Sequence, residues 1–182
     1  MNKLKNNRGF TLIELLACVI TLLLIAGIIS AGMNFALKSY NESLYESDSQ
    51  MLEDTLNLYI CDILRHATKI ETEDSDISPE RPGEKRVTGF TNVAYQIYGG
   101  NIKVLENTDD GSGAFMVYET KNNAGVMLVG SNVYAGTLYI SDFSLTYNEE
   151  KGYFTGSYQI KSTILEHLTK ECVFTCRTIT VY

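Results

Sequence analysis

Residues 8–37 begin Arg8-Gly9-Phe10-Thr11-Leu12-Ile13-Glu14-Leu15-Leu16 and run on through Ala17 to Leu37 as an almost unbroken apolar stretch. From Phe10 to Leu37 there are 28 residues and one formal charge, Glu14. As a helix this run measures roughly 42 Å at about 1.5 Å per residue, against a hydrocarbon core of about 30 Å, so it is long enough to cross a bilayer. The first nine residues hold Lys3, Lys5 and Arg8 and no acid, and Lys38 stands alone just after the run. By the positive-inside bias the N-terminus is cytoplasmic and the chain beyond Lys38 lies outside. Two ordinary readings fit poorly. A secretory signal has an apolar core of about 7–15 residues, much shorter than this one, and is cut after it. A plain anchor has no use for Glu14, because a charge at the bilayer centre costs about 2.5–3.5 kcal/mol.

The residues from Arg8 to Leu16 resemble the prepilin signal shared by type IV pilins, type II secretion pseudopilins and competence pseudopilins. The resemblance covers about 28 residues and implies a class III leader, cut between Gly9 and Phe10 by a membrane-embedded prepilin peptidase that then methylates the amino group of Phe10. It also implies a role for Glu14. As the fifth residue of the mature chain, its carboxylate pairs with the Phe10 amine of a neighbouring subunit during filament assembly. An amino group with a reference pKa of about 7.7–8 is mostly cationic at neutral pH, so the pairing neutralises a buried acid. Glycine at position 9 lets a protease approach the backbone closely. The partners implied are the peptidase, other pilin or pseudopilin subunits and an assembly platform, with the membrane holding the precursor before assembly.

Helices leaving lipid for a filament gain little hydrophobic energy, so close packing and polar pairing must favour assembly. Ala26/Ser30 and Gly27/Ala31 are small pairs at helical spacing, and no proline precedes Pro79. After Lys38 the apolar pattern becomes periodic: Leu52, Leu56, Tyr59, Ile60, Ile63, Leu64, Ala67 and Ile70 recur at three- and four-residue steps. This predicts one helix over 10–70 whose second half buries a face against a sheet. The stretch 71–86, polar and containing both prolines, reads as a loop. Beyond it, short runs rich in β-branched and aromatic residues predict strands at 93–98, 102–105, 115–119, 126–129, 133–140, 143–147, 153–161 and 172–182. Gly99-Gly100-Asn101 and 148–152 read as hairpin turns, and alternation over 177–182 reads as a final half-buried strand.

The expected architecture is therefore α+β: a leader at 1–9, a transmembrane or filament-core helix at 10–37, its amphipathic continuation at 38–70, and an extracytoplasmic β-rich head at 71–182. The resemblance implies the type IV pilin fold, a long helix packed on an antiparallel sheet. The stretch from Tyr59 to Ala67 resembles the corresponding helix of J-type minor pseudopilins and minor pilins, which implies a low-abundance subunit near the tip or at initiation.

Removing the leader takes three of the 15 basic residues and leaves 12 against 22 acidic, a net charge of −10. Such a surface repels phosphates, and no basic stripe interleaved with aromatics is present, so direct nucleic-acid binding is not predicted. Of four cysteines, Cys18 lies in the apolar run and acts as a small hydrophobe. Outside the cytoplasm a disulfide between Cys61 and either Cys172 or Cys176 is expected. Cys172 and Cys176 would be about 13 Å apart in an extended strand, too far to bridge each other.

An independent membrane-anchored enzyme or ligand-binding protein is the competing class. His66 reads as a helix-surface group rather than a base. His167, Cys172, Cys176 and Cys61 supply enough ligands for zinc but lack the usual clip spacing. The acids at 71–76 and 109–112 lack EF-hand spacing and read as solvated loops. Ser112 lies in a DGSGA context, not a nucleophile elbow. No catalytic residue, metal or cofactor is assigned.

Overall fold

The computed structural model describes residues 11–77, 82–106, 113–119, 124–129, 137–165 and 167–179. One helix, α1 (Leu12–Arg65), is followed by strands β1 (Lys69–Asp76), β2 (Glu84–Asn92), β3 (Ile97–Glu106), β4 (Gly113–Glu119), β5 (Ala124–Val129), β6 (Leu138–Asn148), β7 (Tyr153–Ser162) and β8 (Thr169–Arg177). The fold is α+β, a long N-terminal helix and then an antiparallel sheet. The strand order is β5-β4-β3-β2-β6-β7-β8, with β1 on β2. The chain divides into two units, Met1–Leu44 and Tyr45–Tyr182.

The second unit has a core built on the periodicity of α1. Leu52, Leu56, Ile60, Ile63 and Leu64 are buried on the helix, and they meet Phe90, Ile140, Phe154, Tyr158, Ile160 and Phe174 from the strands. On β7 burial alternates strictly, so Phe154, Gly156, Tyr158, Ile160 and Ser162 point inward. Each fully buried Leu, Ile or Phe contributes about 1.5–3 kcal/mol relative to exposure. Leu56 is 0% exposed, and its truncation to alanine would cost about 2–5 kcal/mol. Tyr158 carries its polar end inward without penalty, because its hydroxyl donates to Asn57 Oδ1 at 2.9 Å.

α1 stops at Arg65, short of the expected end at residue 70. Neither glycine nor proline ends it. The last four carbonyls of a helix need outside partners, and here each has one. His66 Nδ1 lies 3.0 Å from the Asp62 carbonyl and donates to it in the Nδ1–H tautomer. Asn92 Nδ2 donates to Ile63 at 2.7 Å, the Ala67 amide to Leu64 at 3.1 Å, and the Ile179 amide to Arg65 at 2.9 Å. Thr68 N–H then donates to Thr91 O, which starts the β1 ladder. Ala67 and Ile70 still pack on the core, from a turn and a strand instead of a helix.

The polar stretch expected as a loop at 71–86 instead contains most of β1 and the start of β2; only 78–81 lie outside the described residues. β1 pairs with β2 from Lys69↔Thr91 to Asp76↔Lys85. It is an edge strand held by backbone bonds, and exposed Lys69, Glu71 and Glu73 give it no apolar alternation to read. The runs at 93–98 and 102–105 are likewise not two strands about a turn at Gly99. Gln96 (φ 55°) closes a turn just before β3, and Gly99 (φ 68°) lies inside that strand. Those at 133–140 and 143–147 merge into β6 across a bulge, where pairing slips between Ser141 and Ser144 and Asp142 takes φ 55°; residues 133–136 lie outside the described residues. The turn at 148–152 is as expected, with Gly152 (φ 65°) donating to Asn148 O at 2.9 Å. The final strand ends at Arg177, and residues 180–182 lie outside the described residues.

Candidate functional site

Gly9 and Phe10 lie outside the described residues, and the site begins at Thr11. Thr11 and Glu14 form a reciprocal N-terminal cap on α1. The Thr11 amide donates to Glu14 Oε2 at 2.9 Å and the Glu14 amide donates back to Thr11 Oγ1 at 3.3 Å. The Thr11 hydroxyl also donates to Glu14 Oε2, at 2.8 Å. This is a T-x-x-E capping box, readable in the sequence but not anticipated there. It gives Glu14 a local task, and the bonds made to its carboxylate use Oε2.

Every residue from Thr11 to Asn41 is exposed. A soluble core helix of this composition would be buried; here no part of the apolar window is. The segment has the length and composition of a membrane anchor or signal. Its polar groups are turned inward where they can be: the Thr21 hydroxyl donates to the Ala17 carbonyl at 2.6 Å. The helix is unbroken through Gly27 and Gly32, and a Cβ at either would meet nothing within 4 Å. Those positions are open to a neighbouring backbone.

The cysteines separate into two environments in the second unit. Cys61, half-buried on α1, and buried Cys176 of β8 are free thiols that lie against each other. Hydrogen bonding to Cys176, opposed by burial and helped by the charge of Arg65, pulls the Cys61 thiol down to about 7. The same contact and burial push Cys176 upward. Cys172 lies elsewhere, its S–H 3.9 Å from the Lys170 carbonyl, and burial followed by the negative charge of Glu53 pushes it up to about 11.

The set His167, Cys172, Cys176 and Cys61 is not brought together, and among the described residues no group of three or more His, Cys, Asp or Glu could hold a metal ion. Residues 109–112 lie outside the described residues, and exposed Glu71, Glu73 and Asp74 lie along the edge strand β1.

One feature had no signal in the sequence. Where β2 passes from β6 (Glu84–Arg86) to β3 (Phe90–Asn92), the strands part around a cleft of about 460 Å³ lined by Arg86, Asn101, Lys103, Asp142 and Ser144. Asn101 Nδ2 donates to the Val87 carbonyl at 3.2 Å, while its buried Oδ1 has no partner among the described residues. Asp142 is held by Lys161 at 3.2 Å, which lowers its carboxyl below the ordinary range, and Ser144 by Ser157 at 2.8 Å. The cleft arises from long-range strand pairing, which local residue patterns do not encode.

No family model matches the chain, and no curated protein or solved structure matches it.

Proposed function

We propose that this chain is a structural subunit, a minor pilin or pseudopilin, of a type IV pilus or related filament, and that its work is assembly rather than catalysis. It is made as a single-pass precursor in the cytoplasmic membrane with its N-terminus inside. Prepilin peptidase cuts between Gly9 and Phe10 and methylates Phe10; the mature subunit then leaves the membrane for an extracellular or periplasmic filament. In this reading 71–182 is the head of a pilin fold, and the long N-terminal helix followed by an antiparallel sheet supports it.

The observation that carries this reading is the pairing of two features on one helix: an apolar surface left wholly exposed from Thr11 to Asn41, and a single carboxylate at its start. An exposed apolar surface of that size needs lipid or other protein around it. A carboxylate there needs a cation, and the new amine of Phe10 on an adjacent subunit supplies one. The cap from Thr11 holds Glu14 in place and leaves Oε1 for that amine. The open positions Gly27 and Gly32 and the small pairs Ala26/Ser30 and Gly27/Ala31 favour close helix approach. The minor-subunit assignment rests on the stretch from Tyr59 to Ala67.

The alternative is an independent membrane-anchored enzyme or ligand-binding protein, favoured by the cleft with its unpartnered Asn101 Oδ1. Co-expression with a prepilin peptidase separates the two. The filament reading expects a product about nine residues shorter; an intact Met1 terminus in the presence of active peptidase would count against it.

A further inference from the structure

β8 runs beside the second half of α1 in the same chain direction. Near one end, Cys172 pairs with Tyr158, whose hydroxyl reaches Asn57 at 2.9 Å and the Glu53 carbonyl at 3.4 Å. Lys170 Nζ is 2.8 Å from Glu53 Oε2. At the other end, the Ile179 amide meets the Arg65 carbonyl. Eight helical residues from Glu53 to Cys61 advance about 12 Å, and four strand residues from Cys172 to Cys176 advance about 13 Å. The strand that sets Cys172 beside Glu53 therefore sets Cys176 beside Cys61. Cys172, Phe174 and Cys176 are the inward residues of β8, and Cys61 packs on the same core, so the two thiols face each other.

We infer that Cys61 and Cys176 are joined by a disulfide that fastens the last turns of α1 to β8, while Cys172 stays reduced. The oxidant is a dithiol–disulfide exchange partner. The Cys61 thiolate attacks one sulfur of the oxidant's disulfide, forming a mixed disulfide and releasing the oxidant's other sulfur as a thiolate. Cys176 then loses its proton and attacks the Cys61 sulfur, and the oxidant departs as its dithiol. Two electrons and two protons pass from the two cysteines to the oxidant.

Geometry and acidity both favour Cys61 as the attacking group: it is the accessible member of the pair, and its thiol is already at about 7. Cys172 lacks a partner sulfur within reach, being about 12 Å of helix away from Cys61. The pairing does not depend on the filament reading, although that reading supplies the oxidising compartment.

The test uses the full-length protein in detergent, exposed to oxidised glutathione, blocked with N-ethylmaleimide and digested without reductant for peptide mapping. The expected product is a Cys61–Cys176 linked peptide, with the intact chain lighter by about two mass units and Cys172 recovered as the alkylated thiol after denaturation. Cys172→Ser retains the bridge, and Cys61→Ser or Cys176→Ser abolishes it. Recovery of Cys61 and Cys176 both as free thiols, a Cys61–Cys172 linkage, or a glutathione adduct that persists on Cys61 overturns the inference.

Discussion

The backbone amide of Ile179 donates to the carbonyl of Arg65 at 2.9 Å, joining a residue two positions past β8 to the last residue of α1. The contact is made by backbone, since the Ile179 side chain is 67% exposed. One end of the helix is thus closed by a segment more than a hundred residues away, and Asn92 of β2 closes the Ile63 carbonyl. Helix termination here is a tertiary event.

Asn92 is 0% exposed, and its amide group donates to the Ile63 carbonyl and accepts from the Tyr95 amide. Asn92→Ala leaves the Ile63 carbonyl without its partner in a buried setting and the part-buried Tyr95 amide without its acceptor. The expected loss is about 1–3 kcal/mol. A lower urea midpoint with unchanged slope for the full chain in detergent checks it, and a midpoint equal to wild type contradicts it.

Gly156 faces Phe174 across the β7–β8 ladder, and a Cβ on Gly156 would fall 2.1 Å from the ring. Phe174 is itself buried and stacks near Tyr158, so the ring has little room to yield. Gly156→Ala should cost about 1–3 kcal/mol through overpacking. Phe174→Leu, which withdraws the clashing ring atoms, should recover part of that loss in the double variant. Additive losses would show that the two sites are not coupled.

How much of this was legible in the sequence follows from the range of the forces involved. The face Leu52, Leu56, Tyr59, Ile60, Ile63 and Leu64 is a local periodicity that marks the helix and its buried side, except that Tyr59 at its edge is 49% exposed. The turn at Asn148–Gly152 is local chemistry and was also readable. β1 was not, because a charged edge strand is defined by pairing with β2 and not by its own pattern. The bulge at Asp142 and the left-handed Gln96 are set by strands meeting at long range, so turn-like residues misled at Gly99 and the split of β6 was spurious. Among the site residues, Cys61, Cys172 and Cys176 were visible as candidates, but only the parallel run of β8 along α1 separates Cys176 from Cys172. The role of Thr11 opposite Glu14 had a sequence signal in its T-x-x-E spacing.

With the Cys61–Cys176 bridge reduced, the accessible thiol offers a test by pH. Cys61 sits at about 7 because it hydrogen-bonds with Cys176 and Arg65 is near. Below that value it is protonated and alkylation should slow about tenfold per pH unit; above it the rate should level off. In Cys176→Ala that hydrogen bond is gone and the midpoint should rise toward the ordinary thiol range. Cys172, pushed to about 11, should stay unmodified across neutral pH in the folded protein. Rates of iodoacetamide labelling read by peptide mass check all three, and equal neutral-pH rates at Cys61 and Cys172 contradict them.

Glu14 has a local hydrogen-bonding task and a proposed charge-pairing task, and two substitutions part them. Glu14→Gln keeps an oxygen for the Thr11 amide but has no charge; Glu14→Ala has neither. If pairing with the Phe10 amine drives assembly, both variants insert in the membrane yet enter filaments roughly tenfold less or worse. Quantitative immunoblots of membrane and sheared-filament fractions check it. Wild-type incorporation of Glu14→Gln would leave capping as the sole role.

Whether this chain is cut and built into a polymer is decided by mass spectrometry of sheared surface filaments. The expected species is a subunit present at low abundance whose first residue is Phe10 carrying a methyl group on its amine. Detection of the chain only in the membrane fraction, beginning at Met1 and absent from the filaments, would contradict that expectation.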